Sequence, residues 1–327
     1  MSIKFNSDED KYIIKDDHFM FNCFFNESIK NFIHIIVNYK QLTLGHSFNH
    51  RLYNHLNKLP NLRILIFEFY FNKSLSYSLK KLVNLEKLIL GNNFNQPLYK
   101  SLNKLVNLRT LSLGYNFNHP LNNSLDKLVN LHTLSLGYNF NRPLNNSLDK
   151  LLNLKSLTFG HNFNQPLDNS LDCLVGLKEL TLGFNFNQQF SYLFELFESL
   201  EKLTLLQQIN KNIDLPNTIK YLYLHNNNAY IIDNLPNSIE ELSLGQYFNL
   251  ELNNLPNSLK KLNLSSSDNY SKKLNNLPSG LEELLLGEYY DNYILNIPKG
   301  LKTLYCSNYY YRLENFKNMG CTVKIYE

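Results

Sequence analysis

Tryptophan is absent, Ala229 is the only alanine, and the 327 residues hold just 4 cysteines, 3 methionines, 12 glycines and 10 prolines. The cysteines (Cys23, Cys173, Cys306, Cys321) sit far apart, with no CxxC and no paired spacing. That excludes a disulfide framework and reads as reduced thiols in an intracellular protein. The opening MSIKFNSDEDKYIIKDD is charged and lacks the apolar core, about 7–15 residues long, of a secretion signal. No apolar run reaches the roughly 18 residues that a spanning helix needs. The expectation is a cytoplasmic, non-secreted chain, in which sequons such as Asn122-Asn-Ser124 are repeat residues and not glycan acceptors. Lys and Arg number 32 against 28 Asp and Glu, a net charge of +4 with the signs mixed. So mild a balance points to neither nucleic acid nor a membrane surface as partner.

Asn occurs 52 times, and Lys, Ile, Tyr and Phe are also abundant, a set whose codons are rich in A and T. An AT-rich genome is implied. Hydrophobic residues make up 43% of the chain, enough for a large core.

That core is written as a repeat. The stretch LSLGYNFNHPL from Leu111 returns as LSLGYNFNRPL from Leu134 and LTFGHNFNQPL from Leu157. Aligned on L-x-L, the first apolar position falls at Leu42, Leu65, Leu88, Leu111, Leu134, Leu157, Leu180 and Leu203, in steps of 23 residues. It continues at Leu222, Leu242, Leu262, Leu284 and Leu304, with Val323-Lys-Ile325 as a last copy and Phe19-Met-Phe21 as a degenerate first one. Fifteen strand-sized segments at a period of 19–23 residues are the signature of a leucine-rich-repeat-like solenoid. The fold class expected is an α/β-type repeat solenoid, a right-handed superhelix with one parallel concave sheet and short helical or extended convex segments. Residues 1–41 read as an N-terminal cap including the degenerate repeat. Residues 42–210 read as 23-residue repeats, and 211–327 as shorter 19–22-residue repeats with a C-terminal cap, all in one continuous domain.

Within each unit the leucines alternate inward and Gly ends the strand. A Phe column (Phe94, Phe117, Phe140, Phe163 and their equivalents, to Phe248) reads as a stacked internal spine. The Asn beside it (Asn95, Asn118, Asn141, Asn164, with Asn210 further on) reads as a buried ladder satisfying turn backbone. A shorter Asn column (Asn93, Asn116, Asn139, Asn162, Asn185) is the rival for that role. In PLNNSLDKLVNL, Ser124 suits the N-cap of one helical turn. In the second half the same region shortens to LPNSL, where proline favours extended backbone.

These motifs resemble the FNIP repeats, a branch of the leucine-rich repeats, over about residues 19–327. The resemblance implies a solenoid with a binding role, and an origin among giant DNA viruses of amoebae or social amoebae. Some members of that family carry an F-box. Residues 1–35 show no helical hydrophobic pattern long enough for one.

Motifs of chemistry are missing: GxxxxGK[ST], GxGxxG after a strand, HExxH and GxSxG are all absent, and the nine histidines lack metal-ligand spacing. Glu240-Glu241 and Glu282-Glu283, with Lys260-Lys261 between them, read as a charge-alternating face and not as a catalytic dyad. No catalytic residue, metal or cofactor is expected. The outward strand residues, among them Thr43, Ser112, Ser135, Thr158, Thr181, Thr204 and Ser243, and the aromatic row His46, Phe69, Tyr115, Tyr138, His161 and Phe184 form the candidate surface. The row stands either as a binding stripe or as rim packing. The tyrosines from Tyr289 to Tyr311 are a second candidate, with Tyr309 to Phe316 read as a cap. The function expected is non-catalytic binding of a protein partner on the concave face, with no nucleic acid and no membrane. The alternatives are a glycan-binding or carbohydrate-active β-helix and a structural, virion-associated array.

Overall fold

The computed structural model describes residues 11–167, 169–189, 193–207 and 212–326. Asn210, read above as part of the long Asn column, lies outside the described residues. The chain divides into two compact units, Met1–Leu177 and Lys178–Glu327.

Among the described residues of the first unit eight strands stand in chain order: β1 (Tyr12–Lys15), β2 (His18–Phe21), β3 (Gln41–Leu44), β4 (Ile64–Phe67), β5 (Lys87–Ile89), β6 (Thr110–Ser112), β7 (Thr133–Ser135) and β8 (Ser156–Thr158). From β2 onward they pair in parallel, with Leu42, Leu65, Leu88, Leu111, Leu134 and Leu157 in one register. Phe19 pairs with Leu42, so the degenerate first copy is a true repeat. The β1–β2 pair is antiparallel, an addition to the all-parallel expectation. It brings Tyr12 onto Phe19 with ring centroids 4.6 Å apart.

The second unit repeats the plan with β9 (Glu179–Leu182), β10 (Lys202–Leu205), β11 (Tyr221–Leu224), β12 (Glu241–Leu244), β13 (Lys261–Asn263), β14 (Glu283–Leu285), β15 (Thr303–Ser307) and β16 (Thr322–Tyr326), all parallel. Val323 pairs with Leu304, as the last shortened copy requires. A short helix, Glu314–Asn318, buries Phe316 edge-on against Tyr310.

Every inward leucine is buried, and so is the Phe column. From Phe25 to Phe163 successive rings stack with centroids 5.9 to 6.2 Å apart. Burying one such ring stabilises the fold by about 1.5–3 kcal/mol. The second unit builds its spine from Phe248, Tyr270, Tyr290 and Tyr310, again about 6 Å apart. Tyr290 and Tyr310 therefore belong to the core, whereas Tyr289, Tyr293, Tyr309 and Tyr311 are exposed.

The outer segments differ from expectation. Around Ser124 there is no helix, only turns closed by i→i+3 bonds such as Ser124 N–H to Leu121 O and Leu128 N–H to Leu125 O. Ser124 and Ser147 are buried small side chains and cap no helix. Leucines three apart all point inward only if the backbone closes in three-residue steps, and the left-handed Asn122 (φ 44°) interrupts any helix. The LPNSL segments are extended with one proline turn each, for example Ile239 N–H to Pro236 O. The regular helix Ala229–Asp233 lies in this half, where extended backbone was expected, capped by Asn228 Oδ1 on Ile231 N–H.

Glycine serves close approach. A Cβ on Gly114 would overlap the carbonyl oxygen of Gly91, and one on Gly137 would overlap that of Gly114.

Candidate functional site

Because Leu111, Leu134 and Leu157 point in, their neighbours Thr110, Ser112, Thr133, Ser135, Ser156 and Thr158 point out, half-exposed. They make a hydroxyl-bearing face in the first unit. Thr43 departs from the expectation: it is buried, with its Oγ1 2.8 Å from His18 Nε2. On β4 and β5 the outward residues are Ile64, Ile66, Lys87 and Ile89, and the three isoleucines are an apolar interruption of the polar column. The signal was in the sequence, since ILIF places isoleucine on both sides of the inward Leu65.

The aromatic row stands along one rim of this face. His46 stacks on Phe69 at 4.8 Å, Tyr115 on Tyr138 at 4.3 Å, and Tyr138 packs against His161 at 4.5 Å. Asn92 breaks the row between Phe69 and Tyr115. Tyr115 is 44% exposed and Tyr138 36%, so the rings both pack on one another and show an edge to solvent. Partial burial, then the neighbouring Tyr115, raises the Tyr138 hydroxyl above the usual tyrosine range. Burial lowers His161 and keeps it neutral near pH 7. Phe184 lies in the second unit, edge-on to His225 at 5.9 Å, and is 38% exposed.

Behind the rim run two Asn ladders, and neither is buried. In the long column each Oδ1 accepts the backbone N–H one turn on: Asn95 N–H to Asn72, Asn118 N–H to Asn95, Asn141 N–H to Asn118 and Asn164 N–H to Asn141, all at 3.0 Å. In the short column the amides bond one another, Asn116 Nδ2 to Asn93 Oδ1 at 3.1 Å and Asn139 Nδ2 to Asn116 Oδ1 at 2.9 Å. Both lie half-buried at the turn surface, because the Phe between them takes the interior position. A third ladder escaped the sequence reading. Asn84, Asn107, Asn130 and Asn153 each donate Nδ2 to the carbonyl of the turn before. Its signal was the Asn of KLVNL, at the same 23-residue step.

In the second unit the outward face carries a groove of about 760 Å³ lined by Lys202, Thr204, Tyr221, Tyr223, Glu241 and Ser243, with the Lys178–Glu201 pair at its edge. Tyr221 and Tyr223 are outward because Leu222 and Leu224 are inward. Tyr223 sits with its hydroxyl 3.1 Å from His225 Nδ1. The acidic pairs named from the sequence are charge-alternating ladders: Lys260–Glu240 at 2.7 Å, Lys261–Glu241 at 3.5 Å and Lys302–Glu282 at 2.7 Å. Hydrogen bonds from these lysines hold Glu240 and Glu282 below the usual carboxylate range, the opposite of what a general acid needs. Among the described residues no group of three or more His, Cys, Asp or Glu could hold a metal ion. None of the described helices is long and apolar enough to cross a membrane.

Residues 225–267 match the FNIP repeat model, within the LPNSL-type turns and not in the more regular 23-residue copies. No curated protein matches the chain. Among solved structures the chain is similar to CroV588 of a giant virus, described as a novel circular LRR protein, with a TM-score of 0.68 and 28% identity over 90% of this chain and 47% of that one. It thus spans about half the length of that protein. It is also similar in fold to an internalin (inlF) of Listeria monocytogenes (TM-score 0.57, 20% identity, 84% of this chain and 83% of that one) and to a chain of the Drosophila Toll–Spatzle complex (0.54, 14%, 91% and 55%). With its parallel ladders, Phe spine and Phe-Asn turns, the chain has a leucine-rich-repeat-like solenoid fold, and its residues 225–267 match the FNIP repeat.

Proposed function

We propose that the chain binds a protein partner on the outward strand face of its first unit, with no catalytic step. The observation that carries this reading is the exposed stack Tyr115–Tyr138–His161 beside the row Ser112, Ser135 and Thr158. Rings pre-stacked on one another lose little rotamer freedom on binding, and Tyr is enriched among the residues that anchor interfaces. Small hydroxyl side chains next to them let a partner approach the sheet closely. His46 and Phe69, with Ile66 and Ile89 between, extend the surface toward the N-terminus. Repeat folds of this kind serve generally as interaction scaffolds, and the Toll–Spatzle structure is itself a protein complex.

The test is recovery of crosslinked partners with the intact chain and with Tyr115→Ala, Tyr138→Ala and His161→Ala combined. The expected result is a loss of recovery of about tenfold or more, with thermal unfolding still cooperative. Equal recovery of every partner by the folded variant sinks the reading.

A further inference from the structure

We propose that the outer corner of the turns at residues 50–106 is a platform for single-stranded nucleic acid, on which Tyr53, Tyr77 and Tyr99 stack with bases while the surrounding lysines meet phosphates. This surface lies away from the outward strand face and stands independently of the function proposed above.

The tyrosines are placed at a cost. Tyr53, Tyr77 and Tyr99 have φ of 46°, 65° and 41°, the left-handed region that bulky side chains avoid. At the same corner the next two turns use Asn122 (φ 44°) and Asn145 (φ 47°), a residue type that tolerates the conformation. Tyr53, Tyr99, Asn122 and Asn145 each follow a buried leucine directly, and Tyr77 follows Leu75 by two residues. The three rings are 58%, 65% and 68% exposed. Their contacts are an edge-on one between Tyr53 and His55 at 5.9 Å and Lys80 Nζ 4.1 Å from the Tyr77 centroid. They differ in this from Tyr115 and Tyr138, whose faces cover each other.

The charge is local. Residues 50–60, 73–83 and 97–106 hold two, three and two Lys or Arg and no Asp or Glu. At the same corner of the following turns Asp126 accompanies Lys127 and Asp149 accompanies Lys150. The modest total of +4 hides this cationic stretch. Arg51, Lys58, Lys80, Lys81, Lys100 and Lys104 are exposed, and among the described residues none is in an ion pair. After burial, the charges of Lys58 and Lys30 lower His55 further, as a positive local field should.

The corner is also held in place. Asn57 donates Nδ2 to Tyr77 O at 2.9 Å and accepts Lys81 N–H at 3.0 Å, locking two of the turns together. Beside Tyr99 a groove of about 750 Å³, lined by Pro97, Lys100, His119 and Asn123 and, from the following turn, by Asp126 with Lys127, is within the size range of small-ligand sites. Solvent-exposed rings interleaved with cations outside ion pairs are the arrangement that binds unpaired bases, which every nucleotide offers and a duplex hides. An acidic peptide would use the lysines and leave the rings idle.

The test is fluorescence anisotropy with labelled single strands of about twelve nucleotides, of thymidine and of uridine. Binding should weaken with salt, by a slope of about 0.7 in log K per phosphate met. Tyr53→Asn, Tyr77→Asn and Tyr99→Asn together should leave the melting temperature unchanged or higher, since Asn suits the corner, and weaken binding about tenfold or more. Lys80→Gln, Lys81→Gln, Lys100→Gln and Lys104→Gln together should flatten the salt slope. A duplex of the same length should bind at least about tenfold more weakly. No binding at low salt, or binding untouched by either variant, overturns the proposal. So does equal affinity for the duplex, for polyglutamate or for phosphatidylserine vesicles.

Discussion

The backbone N–H of Asn118 donates to Oδ1 of Asn95 at 3.0 Å, and Oδ1 of Asn118 accepts in turn from Asn141 N–H. In the neighbouring column Asn139 both donates its amide to Asn116 and accepts from Asn162. The long column therefore asks only for an acceptor oxygen, the short one for a donor and an acceptor. Asn118→Asp should be tolerated within about 1 kcal/mol, whereas Asn139→Asp, which loses the donor, should cost about 1–3 kcal/mol. Denaturant unfolding of the two variants tests this, and equal losses would refute the division of roles.

Tyr270 takes a spine position that Phe248 fills in the turn before and Phe fills from Phe25 to Phe163, and its buried hydroxyl has no hydrogen-bond partner among the described residues. Burial pushes that hydroxyl well above the usual tyrosine range. Tyr270→Phe keeps the ring and removes the unsatisfied group, so stability should stay level or rise by about 1 kcal/mol. A clear drop in melting temperature would mean that the hydroxyl has a stabilising role.

Gly137 lies against the Gly114 carbonyl of the preceding turn. Gly137→Ala should destabilise by about 3 kcal/mol or more, because two backbones would have to separate. Gly320, at φ 77° with open space around it, is the control for conformational cost alone, and there alanine should cost about 1 kcal/mol.

Glu201, Glu240 and Glu282 are held below the usual carboxylate range, first by hydrogen bonds from Lys178, Lys260 and Lys302. A carboxylate depressed in the folded state contributes stability above its unfolded pKa, here 4.5, and loses it as pH falls through the folded value. The melting temperature should thus be flat above about pH 5 and decline below it. All three pairs are solvent-exposed, so about 1 M salt should shrink the decline. Replacing the three acids with Gln should flatten the curve over the same window. An unaltered profile would assign acid sensitivity elsewhere.

The strands, their parallel register and the Phe spine were legible because each turn stacks on a near-copy of itself. Leu111 meets Leu134 and Phe117 meets Phe140, so a residue's place in the repeat also names its neighbour above and below. The rim row was legible for the same reason, as a column beside Gly. Less legible were Tyr221 and Tyr223, which required reading the outward side of YLYL once Leu222 and Leu224 were set inward.

What the sequence determined by itself was the period, and through it the inward leucines, the spine and the steps from 23 to 19 residues between strands. Tertiary structure decided what depends on distances between adjacent turns. It put the Asn columns at half-burial with different bonding duties, replaced the expected helical turn at Ser124 with i→i+3 turns, and drew Tyr290 and Tyr310 into the core. It also set Tyr53, Tyr77 and Tyr99 in left-handed backbone with their rings in solvent. Periodicity names which turn a residue faces. Only the packed backbone says how close that turn comes, and so which atoms bond, which are buried and which remain open to a partner.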